Sequence, residues 1–257
     1  MEFEFAEHDR AAGEAFMRLG AAVDEFEAYA RPHALRVAKL SDALAARFRL
    51  SRADRTSLVF AALLHDLGEM AMKRDYIRRA GPLNSAERLD LARHPVIGEQ
   101  EAARAGADRG TQLLVRWHHE WWNGAGYPDA LRAEQIPLEA RILRVADSYA
   151  ALTDARPFRP AGTEAEARKH LTLWAGLEFD PHVVHVFLSL AGLPELRSYA
   201  RPAPPQETLR ETTAVEVGNN GEGATKVDEE IAVQNEATAT KDEEPAVAEV
   251  APDNTKY

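Results

Sequence analysis

Residues 57–70 read SLVFAALLHDLGEM. Leu58, Ala61, Ala62 and His65 recur at helical spacing, so the stretch predicts a helix with one apolar face. That face carries a histidine, and Asp66 follows it directly. Working outward, the same 3.6-residue rhythm returns on both sides. His33, Val37, Leu40, Leu44 and Phe48 share one face over 31–48. Ser85, with Glu87 and Arg88 behind it, marks a helix start in the 84–93 region. Leu113, Leu114 and Trp117 continue the pattern over 111–120. Pro137 falls just inside the next helix, a favoured place for proline. That helix runs to about Thr153 with Ile142, Leu143, Val145, Ala146 and Tyr149. Pro181 opens a last apolar helix through Leu190. Ala11 to Tyr29 supplies one helix before all of these. Gly/Pro clusters separate the elements: GPLN at 81–84, NGAGYPD at 123–129 and RPFRPAG at 156–162. No stretch alternates with a period of two, so no sheet is expected. The prediction is an all-α helical bundle, with residues 1–27 as a helical extension and 28–200 as its body.

The chain has 257 residues, 45% hydrophobic, with no cysteine and a formal net charge of −11. That apolar content is enough for a core that needs no staple. The absence of cysteine excludes disulfides, thiolate zinc sites, iron–sulfur clusters and a cysteine nucleophile. Residues 201–257 hold 13 Asp/Glu and 5 Lys/Arg, net −8, which leaves −3 for residues 1–200. The tail opens RPAPPQ and has Tyr257 as its only aromatic residue. Such a composition cannot bury enough apolar area to offset ordering, so 201–257 is expected to be a disordered acidic tail, solubilising or serving to dock or localise the chain. The start, MEFEFAEHDR, is acidic where a signal peptide is basic. The longest apolar stretches fall far short of the ~20 residues of a membrane span. A cytoplasmic protein is expected, with neither membrane nor nucleic-acid polymer as partner.

Nine histidines are present, and five of them, His33, His65, His94, His118 and His119, stand on or beside the apolar faces of separate helices. Asp147 interrupts the apolar run ILRVADSYAAL, where a charge is costly unless paired or coordinating a metal. Singly, each histidine reads as a hydrogen-bonded core residue. Together, five histidines and two aspartates from at least four helices suit a two-metal site in a helical bundle. Imidazole and carboxylate accept Fe, Mn, Zn or Ni. His8, His170, His182 and His185 lack such support.

AALLHDLGE (61–69) resembles the HD metal-dependent phosphohydrolases, named for the His65–Asp66 pair. HHEWWNGAGYP (118–128) resembles the second signature of their HD-GYP branch, with Gly126, Tyr127 and Pro128 as the eponymous triplet. PHALRVAKL (32–40), GPLN, HPVIG (94–98), 136–159 and FDPHVVHVF (179–187) follow in the order of that family, so the resemblance spans about 28–190. It implies an HD-superfamily bundle with two divalent ions in its core, Fe or Mn favoured and Zn or Ni as alternatives. The implied ligands are His33, His65, Asp66, His94, His118, His119 and Asp147, with Asp66 bridging. A hydroxide activated by both ions would attack phosphorus, since two cations lower the pKa of water and clamp both oxygens. The implied substrate is cyclic di-GMP, opened to pGpG and in some members cut on to GMP. Arg156 and Arg159 match basic residues that grip phosphate, as a guanidinium fork does well. Tyr127 matches the tyrosine whose loop shapes the guanine side, and Gly124 and Gly126 let that loop turn tightly.

Departures from the pattern bear on activity. The family's Lys after HD-x-G is Glu69 here, a charge that repels phosphate. Trp121 replaces a basic residue, Asn123 an aspartate, and Arg79–Ala80–Gly81 stands for Lys-Pro-Gly. Glu69 reads as a general base or water-orienting group, as a direct metal ligand, or as an arginine partner. Tyr29 occupies the place where some members carry a glutamate for a third ion, so two ions are expected. Three functions follow. The first is a cyclic di-GMP phosphodiesterase. The second is a hydrolase of another nucleotide with Glu69 as base. The third is a metal-keeping signalling module that binds cyclic dinucleotides and contacts partners such as diguanylate cyclases.

Overall fold

Every side chain from Leu58 to Leu64 is buried, with at least four other helices packed on this helix. The computed structural model describes residue 3, residues 5–156 and residues 160–190, all within one compact unit. Ten α-helices follow in order: α1 Glu7–Phe26, α2 His33–Arg47, α3 Arg52–Leu64, α4 Leu67–Met72, α5 Ser85–Leu91, α6 His94–Arg104, α7 Arg109–Trp117, α8 Leu138–Thr153, α9 Glu164–Trp174 and α10 Pro181–Ser189. Among the described residues no strand forms; Ala175 and Phe179 make an isolated bridge. No helix among them is long and apolar enough to cross a membrane. The acidic stretch 201–257 lies outside the described residues, as does Arg159.

One core runs through the bundle. Phe16 and Val23 of α1, Val37, Leu40 and Leu44 of α2, Leu58 and Leu63 of α3, and Ile142, Leu143 and Tyr149 of α8 meet in it. Each such side chain contributes about 1.5–3 kcal/mol by leaving water. α2 packs on α1, α3, α8 and α10, and α3 also meets α7. The helix expected over 57–70 is two helices, with a turn at His65–Asp66 where Asp66 takes φ −97° and ψ 13°. This turn lets α4 leave the axis of α3 and lie against α6. The contact is so close that a Cβ on Gly68 would sit 2.0 Å from the His94 carbonyl oxygen. No residue but glycine fits there.

Caps set the entry points. Ser51 accepts from the Asp54 N–H ahead of α3. Asn84 and Glu87 form a capping box at α5, as the Ser85 region predicts. Pro137 is the residue before α8 rather than its first helical residue. α2 has no cap of its own: Asp24, on α1, accepts the Ala34 N–H at 3.0 Å and so fixes where α2 begins.

Candidate metal centre

The helix ends deliver the histidines. His65 closes α3, His118 closes α7, His33 opens α2 and His94 opens α6. At such positions the local backbone offers a carbonyl to one ring nitrogen and leaves the other pointing inward. The Nδ1 atoms of His65, His94 and His118 lie 2.9, 2.8 and 2.6 Å from the carbonyls of Ala62, Leu91 and Val115. A carbonyl only accepts, so each Nδ1 carries the proton and each Nε2 offers a lone pair. Nδ1 of His33 meets Asp154 Oδ2 at 3.2 Å to the same effect.

With neutral rings the inward atoms face one another without a donor. His94 Nε2 and His118 Nε2 are 3.2 Å apart. His33 Nε2 lies 3.3 Å from Asp147 Oδ1, and His65 Nε2 lies 3.0 Å from Asp66 Oδ2. His33 Nε2 and His65 Nε2 are buried and have no hydrogen-bond partner. These contacts call for positive charge in the cluster, either as protons on His33 and His65 or as a cation between the groups, and the donor set fits a divalent metal. Asp66 belongs to three groups whose ligand atoms lie within 4.8 Å of one another. The first adds His94, His118 and His119, the second His33 and His65, the third Glu27 and Glu69. Asp147 reaches both His33 and His65, the latter at 3.6 Å.

Electrostatics divide the cluster. Burial, with the His118 charge beside it, pushes His94 down to about 3. Burial and the nearby His118 and Arg144 hold His119 well below the usual imidazole range. His65 is raised well above it, because Asp66 and Asp147 outweigh the cost of burial. The same balance with Asp147 and Asp154 raises His33. Burial and the Asp66 charge push Glu69 up to about 8.

His119 is held differently from the other four. Arg144 Nη1 lies 2.9 Å from its Nδ1, and a guanidinium only donates, so that nitrogen accepts from Arg144 and the proton of the neutral ring sits on Nε2. Arg144 is itself buried, reaching Glu178 Oε1 at 2.5 Å and Asp147 Oδ2 at 3.4 Å. Tyr127 stacks on the His119 ring at 4.9 Å. Its loop is clamped by Glu120, whose two carboxylate oxygens accept from the N–H groups of Asp129 and Leu131 at 2.6 and 2.9 Å. Gly124 sits at φ +83°, and a Cβ on Gly126 would lie 2.2 Å from the Trp121 nitrogen, so both glycines are required. Pro128 follows Tyr127 through a cis bond. Trp121 packs edge-on against Trp174 and Trp122 lies under Arg141, so both indoles serve packing.

The seven expected ligands are therefore brought together, with Glu69 beside them. Three of the basic residues near the site make contacts within the chain. Arg156 turns inward, its guanidinium 4.1 Å over the Tyr29 ring, bonded to the Tyr29 hydroxyl and 3.3 Å from Glu27 Oε2. Arg79 is engaged by both oxygens of Glu87 at 2.8 Å, and Arg78 lies over Phe26. The reading of Tyr29 as leaving room for only two ions meets a second fact: Glu27, two residues earlier, brings a carboxylate to Asp66 and Glu69. Sequence reasoning passed over Glu27, Arg144, Asp154 and Glu178. For Arg144 the available signal was a charge inside the apolar run of α8.

The HD domain family model matches residues 18–183. The chain is 35% identical over 178 residues to the cyclic di-GMP phosphodiesterase response regulator RpfG of Xanthomonas campestris pv. campestris (strain 8004), covering 68% of this chain and 47% of that protein. It is 34% identical over 142 residues to the 3′3′-cGAMP-specific phosphodiesterase 3 of Vibrio cholerae serotype O1, covering 55% of this chain and 31% of that one. The crystal structure of the V. cholerae cyclic GMP-AMP specific phosphodiesterase V-cGAP3 shares the fold, with a TM-score of 0.58 at 21% identity, covering 72% of this chain and 50% of that one. The chain thus spans half or less of the length of these relatives. With the family model matching well over half of its residues, the chain belongs to the HD domain family and is homologous to its HD-GYP cyclic di-GMP phosphodiesterases.

Proposed function

We propose that this chain hydrolyses a phosphodiester bond of a cyclic dinucleotide, with cyclic di-GMP as its substrate. The observation that carries the reading is the buried cluster of imidazoles and carboxylates converging on Asp66, a donor set that fits divalent cations. His33, His65 and Asp147 would hold one ion and His94 and His118 the other, which His119 would join by giving up its bond to Arg144; Asp66 would serve both. Bound there, the ions supply positive charge at the phosphate oxygens and lower the pKa of water. The chain's own groups do the rest. Nδ1–H bonds to backbone carbonyls hold the His65, His94 and His118 rings in place. Tyr127 walls the site on the His119 side. A Glu69 oxygen takes a proton from the attacking water and hands that proton on to the released 3′ oxygen. Water adds to phosphorus, the P–O3′ bond breaks, and cyclic di-GMP becomes pGpG.

A nucleotide hydrolase using Glu69 as base is a second reading, favoured by the inward turn of Arg156, which leaves the phosphate grip thinner. Purified protein loaded with manganese and given cyclic di-GMP or 3′3′-cGAMP, with products separated by chromatography, tests both. Formation of pGpG, lost in His65→Ala, is expected. Cleavage of 3′3′-cGAMP alone moves the substrate within the class. Phosphate release from a nucleoside monophosphate with both cyclic dinucleotides untouched supports the second reading. Retained metal and no turnover of any of these sinks both.

A further inference from the structure

His33 solves a local problem that the other carbonyl-bonded histidines do not have. His65 and His118 close their helices, and His94 follows α5 closely enough to use its Leu91 carbonyl. Before His33 the chain is not helical: Ala28 stands at φ 61° and Pro32 at ψ 88°. No helical carbonyl lies at the place where the other three rings find one. Its Nδ1 is met instead by Asp154 Oδ2 at 3.2 Å, from the residue that ends α8, 121 positions later.

Asp154 is built to be there. It is 1% exposed. Its Oδ1 accepts from Arg36 Nη1 at 2.7 Å. Arg36 lies one turn after His33 on α2 and is pinned by the Ala150 carbonyl at 3.2 Å and by Thr153 Oγ1 at 2.7 Å. The two carboxylate oxygens thus divide between the arginine and the imidazole, and the carboxylate has no freedom to turn away. A carboxylate accepts only, so Nδ1 must donate, and in the neutral ring Nε2 faces Asp147 with its lone pair.

We propose that Asp154 is the positioning residue of the His33 half of the centre. It fixes the ring and the tautomer of His33 and makes that nitrogen a stronger ligand, as a carboxylate behind a metal-bound imidazole does. This rests on the reading of His33 as a ligand given above. A purely structural clamp between α2 and α8 through Arg36 is the competing role.

Calorimetric titration of Mn²⁺ into the chelator-stripped full chain separates them. Asp154→Ala is expected to weaken one class of Mn²⁺ site about 10–100-fold and leave the other class unchanged. In the zinc-loaded chain with ¹⁵N-labelled histidine, the His33 ring should lose its hydrogen-bonded Nδ1–H signal while His65, His94 and His118 keep theirs. Should Asp154→Ala not fold, Asp154→Asn is read in the same way: its single amide oxygen cannot serve His33 and Arg36 at once, so the same class should weaken, by less. Unchanged affinities, or two classes falling together, overturn the positioning role and leave a clamp. His33→Ala is the control. If it removes no class of site, the reading of His33 as a ligand itself fails; if it removes one that Asp154→Ala spares, only the positioning role fails.

Discussion

The two halves of the centre use the same residue types and arrive at opposite electrostatics. Around His94 and His119, imidazoles crowd one another and Arg144 adds positive charge, so protonation is suppressed. Around His33 and His65, the carboxylates of Asp66, Asp147 and Asp154 surround the rings, and protonation is favoured. The difference shows that what a histidine does here depends on the helix ends that converge on it as well as on the residue beside it, Asp66 for His65 and His118 for His119. One half is a nearly neutral nitrogen pocket; the other is a carboxylate-rich one that runs on to Glu27 and Glu69.

The sharpest way to break this division is the residue common to both halves. Asp66→Ala is expected to abolish both classes of bound metal and all turnover, measured by elemental analysis and product chromatography; survival of either class would show that the halves do not depend on Asp66. Next, Glu69→Gln should lower kcat by roughly 10²–10⁴-fold, the range for a lost general base, with metal content unchanged. Loss of one ion per chain instead would make Glu69 a ligand.

A buried pair comes third. Arg144 and Glu178 are both 4% exposed at the side chain. Glu178→Gln removes the nearer of the two carboxylates on the Arg144 guanidinium and leaves Asp147 at 3.4 Å, at a cost of up to about 3–5 kcal/mol, read as a lower unfolding midpoint in denaturant. An unchanged midpoint would mean that Asp147 and His119 suffice to hold Arg144.

The halves should also respond to pH in opposite senses when metal is stripped. Glu69 is raised from 4.5 to about 8 in the fold. Its contribution to stability is full below pH 4.5 and is lost as pH rises through 8. His94 is lowered from 6.5 to about 3, so its contribution is full above pH 6.5 and fades as pH falls toward 3. Glu69→Gln should therefore stabilise the metal-free chain more at pH 8 than at pH 5, by chemical denaturation, while leaving the acid limb intact. Equal effects at both pH values would contradict it. The smallest effect belongs to the rim. Arg116 grips Asp129 at 2.6 Å beside the Tyr127 loop, in a partly exposed pair. Arg116→Ala should cost no more than about 1 kcal/mol and act on KM rather than kcat.

Much of the bundle was legible in the sequence because its apolar stripes are made of large residues. α2, α3, α7, α8 and α10 bury Leu, Val, Ile and Phe at helical spacing. No helix was expected over α6 or α9. The first buries Pro95, Gly98 and Ala102, and the second only Ala167 and Leu171, so neither shows a stripe. The break at His65–Asp66 was hidden for a different reason. Its apolar pattern runs on through the turn, while the direction of α4 is set by the close approach to α6 at Gly68.

The sequence by itself determined which residue types could hold metal, since a chain without cysteine leaves imidazole and carboxylate. It also determined that those residues fall on inward faces, since their spacing matches that of the apolar residues around them. Only the tertiary structure decided what stands behind each ligand. Asp154 reaches His33 across 121 residues, Glu178 reaches Arg144 across 34, and Glu27 arrives from the end of α1. Spacing along a helix encodes which way a side chain points, but the partner it meets there comes from another helix, and no local rule carries that information.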